Sequence, residues 1–392
     1  MSFNIERLLT MKRITKLLGL GLAMLTLWGC GGQPQSASGT QAEAQEAQAE
    51  AVKSTTPAPS GKRPFITKWK GAAGKTIKIA AVGTYTLTWY NEATPNERHS
   101  QQVSVRKERD ESYIIVENPH TFTTPTDGVY VVEVGPEGVE AMHMRNFDGD
   151  RETASRLLSV VQFGDVAWKD LSMAFYWCSN MQFEKGIDTP NLSQCTDLSW
   201  MFEKCAAFNS PVGAWDVSHV TNMKGMFSRC TTFNQPLDKW NVSNVTDMTL
   251  MFLECEAFNQ PLNDWNVGKV TAMVAMFAKC RAFNQPLDKW DVSQVTYMYR
   301  MFEHCHAFNQ PLNTWDVSQV TDLNRIFSDC TTFNQPLDGW KLNDEAETHC
   351  ALYGTHAAKL PFAAKWNPKG EVAAEYCQYD DEGFYVDEDE LE

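Results

Sequence analysis

A strict period constrains this chain more than anything else in it. Cysteine recurs at Cys205, Cys230, Cys255, Cys280, Cys305 and Cys330, always 25 residues apart. Tryptophan keeps the same step at Trp215, Trp240, Trp265, Trp290, Trp315 and Trp340. One unit reads Phe233-Asn234-Gln235-Pro236-Leu237, then Trp240-Asn241-Val242-Ser243-Asn244-Val245-Thr246, Met248, Met251-Phe252 and Cys255. A fixed step in this range means stacked units, each too small to bury its own apolar face.

Spacing within a unit predicts the path of one coil. Trp215 and Val217 point one way and Asp216 the other, as in a short strand. Val220, Met223, Met226 and Phe227 follow at helical spacing, with Ser218 or Thr221 as the capping hydroxyl. Pro236 closes the coil, since it cannot continue a ladder. The expected fold class is an α+β repeat protein: a leucine-rich-repeat-like solenoid with a short strand and a short helix per coil. Its coils are expected about 5 Å apart. It spans 145–340, with an atypical first cap over 145–178 and a closing cap over 341–368.

Comparing the copies separates interior from rim. Trp, Val, Met, Phe and Cys positions hardly change, so they read as stacked core; six tryptophans at one strand position fill layers rather than bind sugar. The column Asn209, Asn234, Asn259, Asn284, Asn309 and Asn334 is expected to satisfy turn backbone from coil to coil. Two columns vary freely: Asn222, Asp247, Ala272, Tyr297, Asp322, and Lys224, Thr249, Val274, Tyr299, Asn324. They supply the binding-face candidates Tyr297, Tyr299, Asp247, Asp322 and Lys224, with Arg300 and Arg325 beside them. Tyrosine is favoured at interfaces, which puts Tyr297 and Tyr299 first.

The N-terminus reads as an export signal over 1–30. Lys12, Arg13 and Lys16 precede the apolar run Leu17–Trp28, too short to span a bilayer, and Met11 is the better start than Met1. Residues 31–63 carry almost no apolar content and read as a tether. Over 64–144 the pattern alternates: Thr76–Val82, Thr84–Tyr90, Val103–Arg106, Tyr113–Glu117 and Val129–Val134 are expected strands of a small antiparallel sandwich. A net charge of −15 argues against nucleic acid, and the acidic stretch within 369–392 reads as a solvated tail.

Signs of catalysis or metal binding are weak. No Cys-x-x-Cys pair occurs, so the ladder cysteines are expected as reduced, buried thiols, and no metal or cofactor is expected. Cys350 and Cys377 lie outside the ladder, where export would permit a disulfide; two reduced thiols are the alternative. Gly71-Ala72-Ala73-Gly74-Lys75-Thr76 lacks the first glycine of a phosphate loop, and Asp148-Gly149-Asp150 lacks calcium-loop spacing. The histidines are scattered, and His219, His304 and His306 fall on variable positions. The chain is therefore expected not to be an enzyme.

The unit just quoted resembles the 25-residue repeat of BspA-like leucine-rich-repeat surface proteins, over about Ser172–Trp340. Leu27-Trp28-Gly29-Cys30 likewise resembles a bacterial lipobox, which implies acylation of Cys30 and a lipid anchor in the cell envelope, at the outer membrane or cell surface. Trp89, His120-Thr121-Phe122 and Gly128-Val129-Tyr130-Val131-Val132 resemble a PKD-like module, with Trp89-Tyr90-Asn91-Glu92 in place of the usual turn. The resemblance implies adhesion or protein recognition on a host or neighbouring bacterial surface. A structural envelope component and a carbohydrate-binding module stand as alternatives, and the oligomeric state stays open.

Overall fold

The computed structural model describes residues 61–109, 114–117, 119–144, 151–366 and 377. Cys30, the signal segment, nearly all of the tether and all of the acidic tail except Cys377 lie outside them.

The N-terminal part is built from strands β1 (Phe65–Gly71), β2 (Lys75–Ile79), β3 (Ala81–Asn91), β4 (His99–Arg109), β5 (Ile114–Glu117), β6 (His120–Thr124), β7 (Gly128–Val134) and β8 (Val139–Met142). A short helix, α1 (Arg151–Ser155), leads to β9 (Leu157–Gln162) and β10 (Gln182–Phe183). The main sheet runs β10-β9-β1-β7-β3-β4-β5 with β8 also on β3, while β2 and β6 form a separate antiparallel ribbon. Strict alternation sets the faces: β3 buries Tyr85 and Leu87 and exposes Thr84 and Thr86. Phe122 of the ribbon meets Trp89 of β3 and Tyr130 of β7, with ring centroids 5.1 and 6.3 Å apart.

Hydrogen bonding does not stop at residue 144. β9 pairs with β1, β10 lies parallel to β9, and single parallel bridges join Ala141 to Asp170 and Ala167 to Asn191. One hydrophobic core continues from Phe65 to Trp366. His143 sits in that junction, 1% exposed, its Nδ1 2.6 Å from the Ser172 carbonyl and its Nε2 3.8 Å from Asp170 Oδ2. Lys107 of β4 reaches the same Asp170 carboxylate at 3.0 Å.

After a first coil of 27 residues from Asp170 to Asp197, the chain stacks 25-residue coils. A parallel bridge ladder runs Asp197, Asn222, Asp247, Ala272, Tyr297, Asp322 and Glu347. Past each bridge, alternate N–H groups leave the coil. Met223, Gly225, Phe227 and Arg229 donate to the carbonyls of Asp247, Thr249, Met251 and Leu253, at 3.1, 2.8, 2.9 and 2.6 Å. The amides between them close turns within the coil, Met226 to Met223, Ser228 to Gly225 and Cys230 to Phe227.

The short strand expected at Trp215–Val217 and the helix expected over Val220–Phe227 are therefore not what forms. Both stretches run as turns and irregular backbone, and among the described residues no repeat contains an α-helix. The reason is geometric. A helix needs every N–H to bond four residues back, and here every second one is committed to the neighbouring coil. Achieving that alternation places two residues per coil in the left-handed region, such as Trp200 and Lys204, Leu250 and Glu254, Ala275 and Lys279. Left-handed backbone costs a side-chain-bearing residue roughly 1 kcal/mol or more.

Identical layers of side chains hold the stack. Phe202, Phe227, Phe252, Phe277, Phe302 and Phe327 stack ring on ring at 5.5–5.8 Å. A second pile, Phe208 to Phe333, repeats at 6.0 Å. The tryptophans lie buried, and each repeat indole N–H from Trp240 to Trp340 donates to a carbonyl of the preceding coil, Trp265 to Leu237 at 3.0 Å. The ladder thiols are reduced and buried, and each sulfur contacts the carbonyl of the phenylalanine one layer back, Cys255 to Phe227 at 3.0 Å. Burial pushes their pKa far up, and that of Cys195 to about 12. Asn259 Oδ1 accepts the Asn284 N–H at 2.9 Å and the Gln285 amide at 3.0 Å, and the same pair of bonds recurs along that column.

Three outcomes follow from this packing. Asn259→Ala leaves two donors without their acceptor and should cost about 1–2 kcal/mol in urea unfolding, whereas Asn259→Asp, which keeps an acceptor, should cost less. At Gly225 an added Cβ would lie 1.9 Å from the Trp200 ring, in backbone at φ +60°. Gly225→Ala should therefore lose about 1–3 kcal/mol, and Trp200→Ala in the same chain should restore part of it; strict additivity of the two would refute the contact. Burial pushes His143 below its ordinary pKa of 6.5, opposed by Asp170. Since the unfolded ring then binds its proton more readily, this contribution is complete above pH 6.5 and fades on acidification. The loss of stability between pH 7.5 and 5.5, read by thermal melts, should shrink in His143→Gln.

Candidate functional site

Variable side chains gather along the bridge ladder, from the Asn222 column to the Arg229 column of each coil. At the start of this stretch, the Asn222 column is mostly occupied by residues that hold the backbone. The carboxyl or amide oxygens of Asp197, Asn222, Asp247 and Asp322 accept the N–H two residues on, at 2.8, 3.0, 2.7 and 2.9 Å. These are Asx turns. Asp247 and Asp322, expected as partner contacts, are thus half-buried turn residues, and burial raises the pKa of Asp322.

Ala272 and Tyr297 stand in the same column and cannot make that bond. Tyr297 is 52% exposed, and among the described residues it is the large apolar side chain left in solvent. Tyr299, two residues on, is half-buried, with the Arg300 guanidinium 5.0 Å over its ring; burial pushes its hydroxyl pKa up. Lys224 is half-buried and holds its ammonium 5.8 Å above Trp200.

Arg300 and Arg325 are not displayed contacts. Arg300 is 3% exposed and pairs with Glu303 at 3.2 Å. Arg325 stands 3.7 Å from the same carboxylate and donates to the Cys377 carbonyl at 3.3 Å. Burial drives Glu303 toward the neutral form, and Arg300 and Arg325 draw it back. An isolated buried charge is far costlier than a paired one, so these three residues act as one internal cluster. Cys350 and Cys377 are bridged, with Cα atoms 5.8 Å apart.

The columns of Tyr297 and Tyr299 make up only part of this face, and Arg300 and Arg325 already stand in a third. The positions equivalent to Gly225 and Arg229 vary as widely, and their backbone is left-handed. They carry a chain of ion pairs: Arg229 reaches Glu203 at 3.0 Å and Glu254 at 3.5 Å, and Lys279 reaches Glu254 at 3.1 Å. Near the first coils they also form an aromatic and cationic group, with Lys204 4.7 Å above Trp177 and its ammonium 3.3 Å from the Tyr176 hydroxyl. Left-handed positions are usually read as glycine sites, and Gly225 and Gly354 alone among these side chains gave that signal.

Chemically, this face offers aromatic surface, hydrogen-bonding turns and paired charges. Among the described residues no group of three or more His, Cys, Asp or Glu side chains is arranged to hold a metal ion. No described helix is long and apolar enough to cross a membrane. Two overlapping segments, 169–285 and 263–366, match the family model described as Mycoplasma protein of unknown function, DUF285, and together they cover just over half of the chain. No curated protein and no solved structure matches.

Proposed function

The chain belongs to the DUF285 family, the BspA-like repeat family, and from that premise we propose that it is a non-enzymatic recognition protein of the cell surface. Its coil stack is a solenoid whose ladder face meets a protein partner on a host or a neighbouring bacterium. The observation that carries this reading is Tyr297. Nearly every other large apolar side chain of the repeats is buried in the stack, and the column it occupies is otherwise mostly given to Asx turns, at Asp197, Asn222, Asp247 and Asp322. An exposed aromatic ring on a rigid ladder suits an interface anchor. Export and a lipid anchor at Cys30 would place the stack outside the cell, with the N-terminal sheet as the spacer.

The test uses binding to an immobilised extracellular-matrix extract and to intact bacteria of a second species. Tyr297→Ala should weaken capture about tenfold, near the 1–2 kcal/mol of a modest interface anchor. Lys289→Ala, at an exposed ion pair with Asp264 away from the ladder, should leave it unchanged. Equal loss in both variants, or no capture by the native chain on either surface, would overturn the proposal.

A further inference from the structure

Cations of this chain already sit on aromatic rings along the ladder face. Lys204 holds its ammonium 4.7 Å from the Trp177 ring centroid and Lys224 holds its own 5.8 Å from that of Trp200. The Arg300 guanidinium carbon lies 5.0 Å from the centroid of Tyr299. At these separations a ring face attracts positive charge. Tyr297 is different: it is 52% exposed, and among the described residues no cation stands over its ring.

The residues beside that ring are acidic. The bridge ladder sets Tyr297 between Ala272 and Asp322, and neighbouring strands in a ladder lie about 5 Å apart. Side chains of consecutive coils in this column can touch, as Asn222 Nδ2 and Asp197 Oδ2 do at 3.1 Å. Asp197, Asp247, Asp322 and Glu347 all belong to the column, which contains no lysine or arginine. Asp322 commits Oδ1 to the Asn324 N–H, and among the described residues its Oδ2 accepts no hydrogen bond. Burial raises the Asp322 pKa, and the charge of Glu347 adds to that effect. The guanidiniums of Arg300 and Arg325 pair instead with Glu303. A positive group arriving from outside would meet an open ring face and, beside it, a carboxylate oxygen with no internal partner.

We propose that the partner met by Tyr297 is a basic segment of a protein, with a lysine or arginine side chain lying over the Tyr297 ring and its charge against Asp322. This names the partner's chemistry at the site already proposed, and it rests on that reading. Arginine suits the site best, because its planar guanidinium stacks on a ring and still presents donors to a carboxylate. Ala272, small and half-buried, leaves the other side of the ring open. The net charge of −15 draws a basic segment in from a distance and repels an anionic one.

The experiment titrates the full chain with fluorescent peptides on one glycine-serine scaffold, carrying arginine or citrulline at the same positions, and follows anisotropy. The arginine peptide should bind about tenfold tighter than the citrulline peptide, which keeps the shape and lacks the charge. Tyr297→Ala should weaken it about tenfold and Asp322→Asn about threefold. Asparagine preserves the turn, as Asn222 does in its own coil, so the fold is kept. Ala272→Asp places a carboxylate on the other side of the ring, as at Asp247, and should tighten binding about threefold. Asp238→Asn, at an exposed turn outside the ladder face, should change nothing. Equal affinity for the two peptides, tighter binding of free spermidine, or equal losses in Asp238→Asn and Asp322→Asn would overturn the proposal. The capture assay, repeated with Asp322→Asn and Ala272→Asp, separates the two readings. Capture that needs Tyr297 but ignores both charge changes keeps the recognition surface and overturns the basic partner. Peptide binding as expected, with no capture on either surface, keeps the cation site and overturns the recognition reading.

Discussion

Every second backbone amide along the ladder points out of its own coil, and the rest of the molecule depends on that. The alternation rules out a helix and places two residues per coil in left-handed backbone. It also makes each coil incomplete, since its outgoing donors need carbonyls that only the next coil can provide. The strain of the left-handed residues is then offset by bonds and ring stacks that exist only between coils. A single unit would carry the strain with nothing to offset it, which is the physical content of a nearest-neighbour repeat.

The same logic explains the ends. The last donors, from Leu323, Phe327 and Asp329, find their carbonyls in Glu347, Ala351 and Tyr353, in a stretch where Ala351, Leu352 and Thr355 stand at the Met, Phe and Cys positions of the repeat. Trp366 then stacks on Trp340 at 5.4 Å and closes the aromatic column. At the other end Lys169 and Met144 bond to the Glu140 and Met173 carbonyls, and β9 and β10 carry the main sheet into the first coil. The N-terminal sheet is thus also the stack's first cap.

What the sequence made legible follows from which interactions repeat. Trp, Phe and Cys each fill one layer and bond one layer back, so their period announced the stack, and the Asn column announced its own role in the turns. The path of the coil was hidden, because apolar residues at i, i+3, i+6 and i+7 suit a run of turns as well as a helix. β1, β6, β8, β9 and β10 were missed: β1 and β9 lie next to each other in the sheet but about ninety residues apart in the chain, and no local pattern reports such a pairing. The burial of Arg300 and Arg325 was invisible for a related reason. Each reads as a variable, charged position; Arg300 meets Glu303 within its own coil, and the stacking of the next coil brings Arg325 to the same carboxylate.

That last point changes how variation on such a face should be weighed. A side chain at a left-handed ladder position lies over the coil beside it, so its neighbour must be chosen to suit. The Trp200 ring fills the space where Gly225 has no side chain, and Glu303 sits between guanidiniums from two coils. Differences between copies in these columns are therefore often compensations between adjacent layers rather than marks of a partner. Tyr297 falls outside that scheme: its ring is spent on neither an Asx turn nor the packed interior. Exposure that no internal bond accounts for is the stronger criterion, and by it the recognition surface narrows from a whole variable face to the coil carrying Tyr297 and Tyr299.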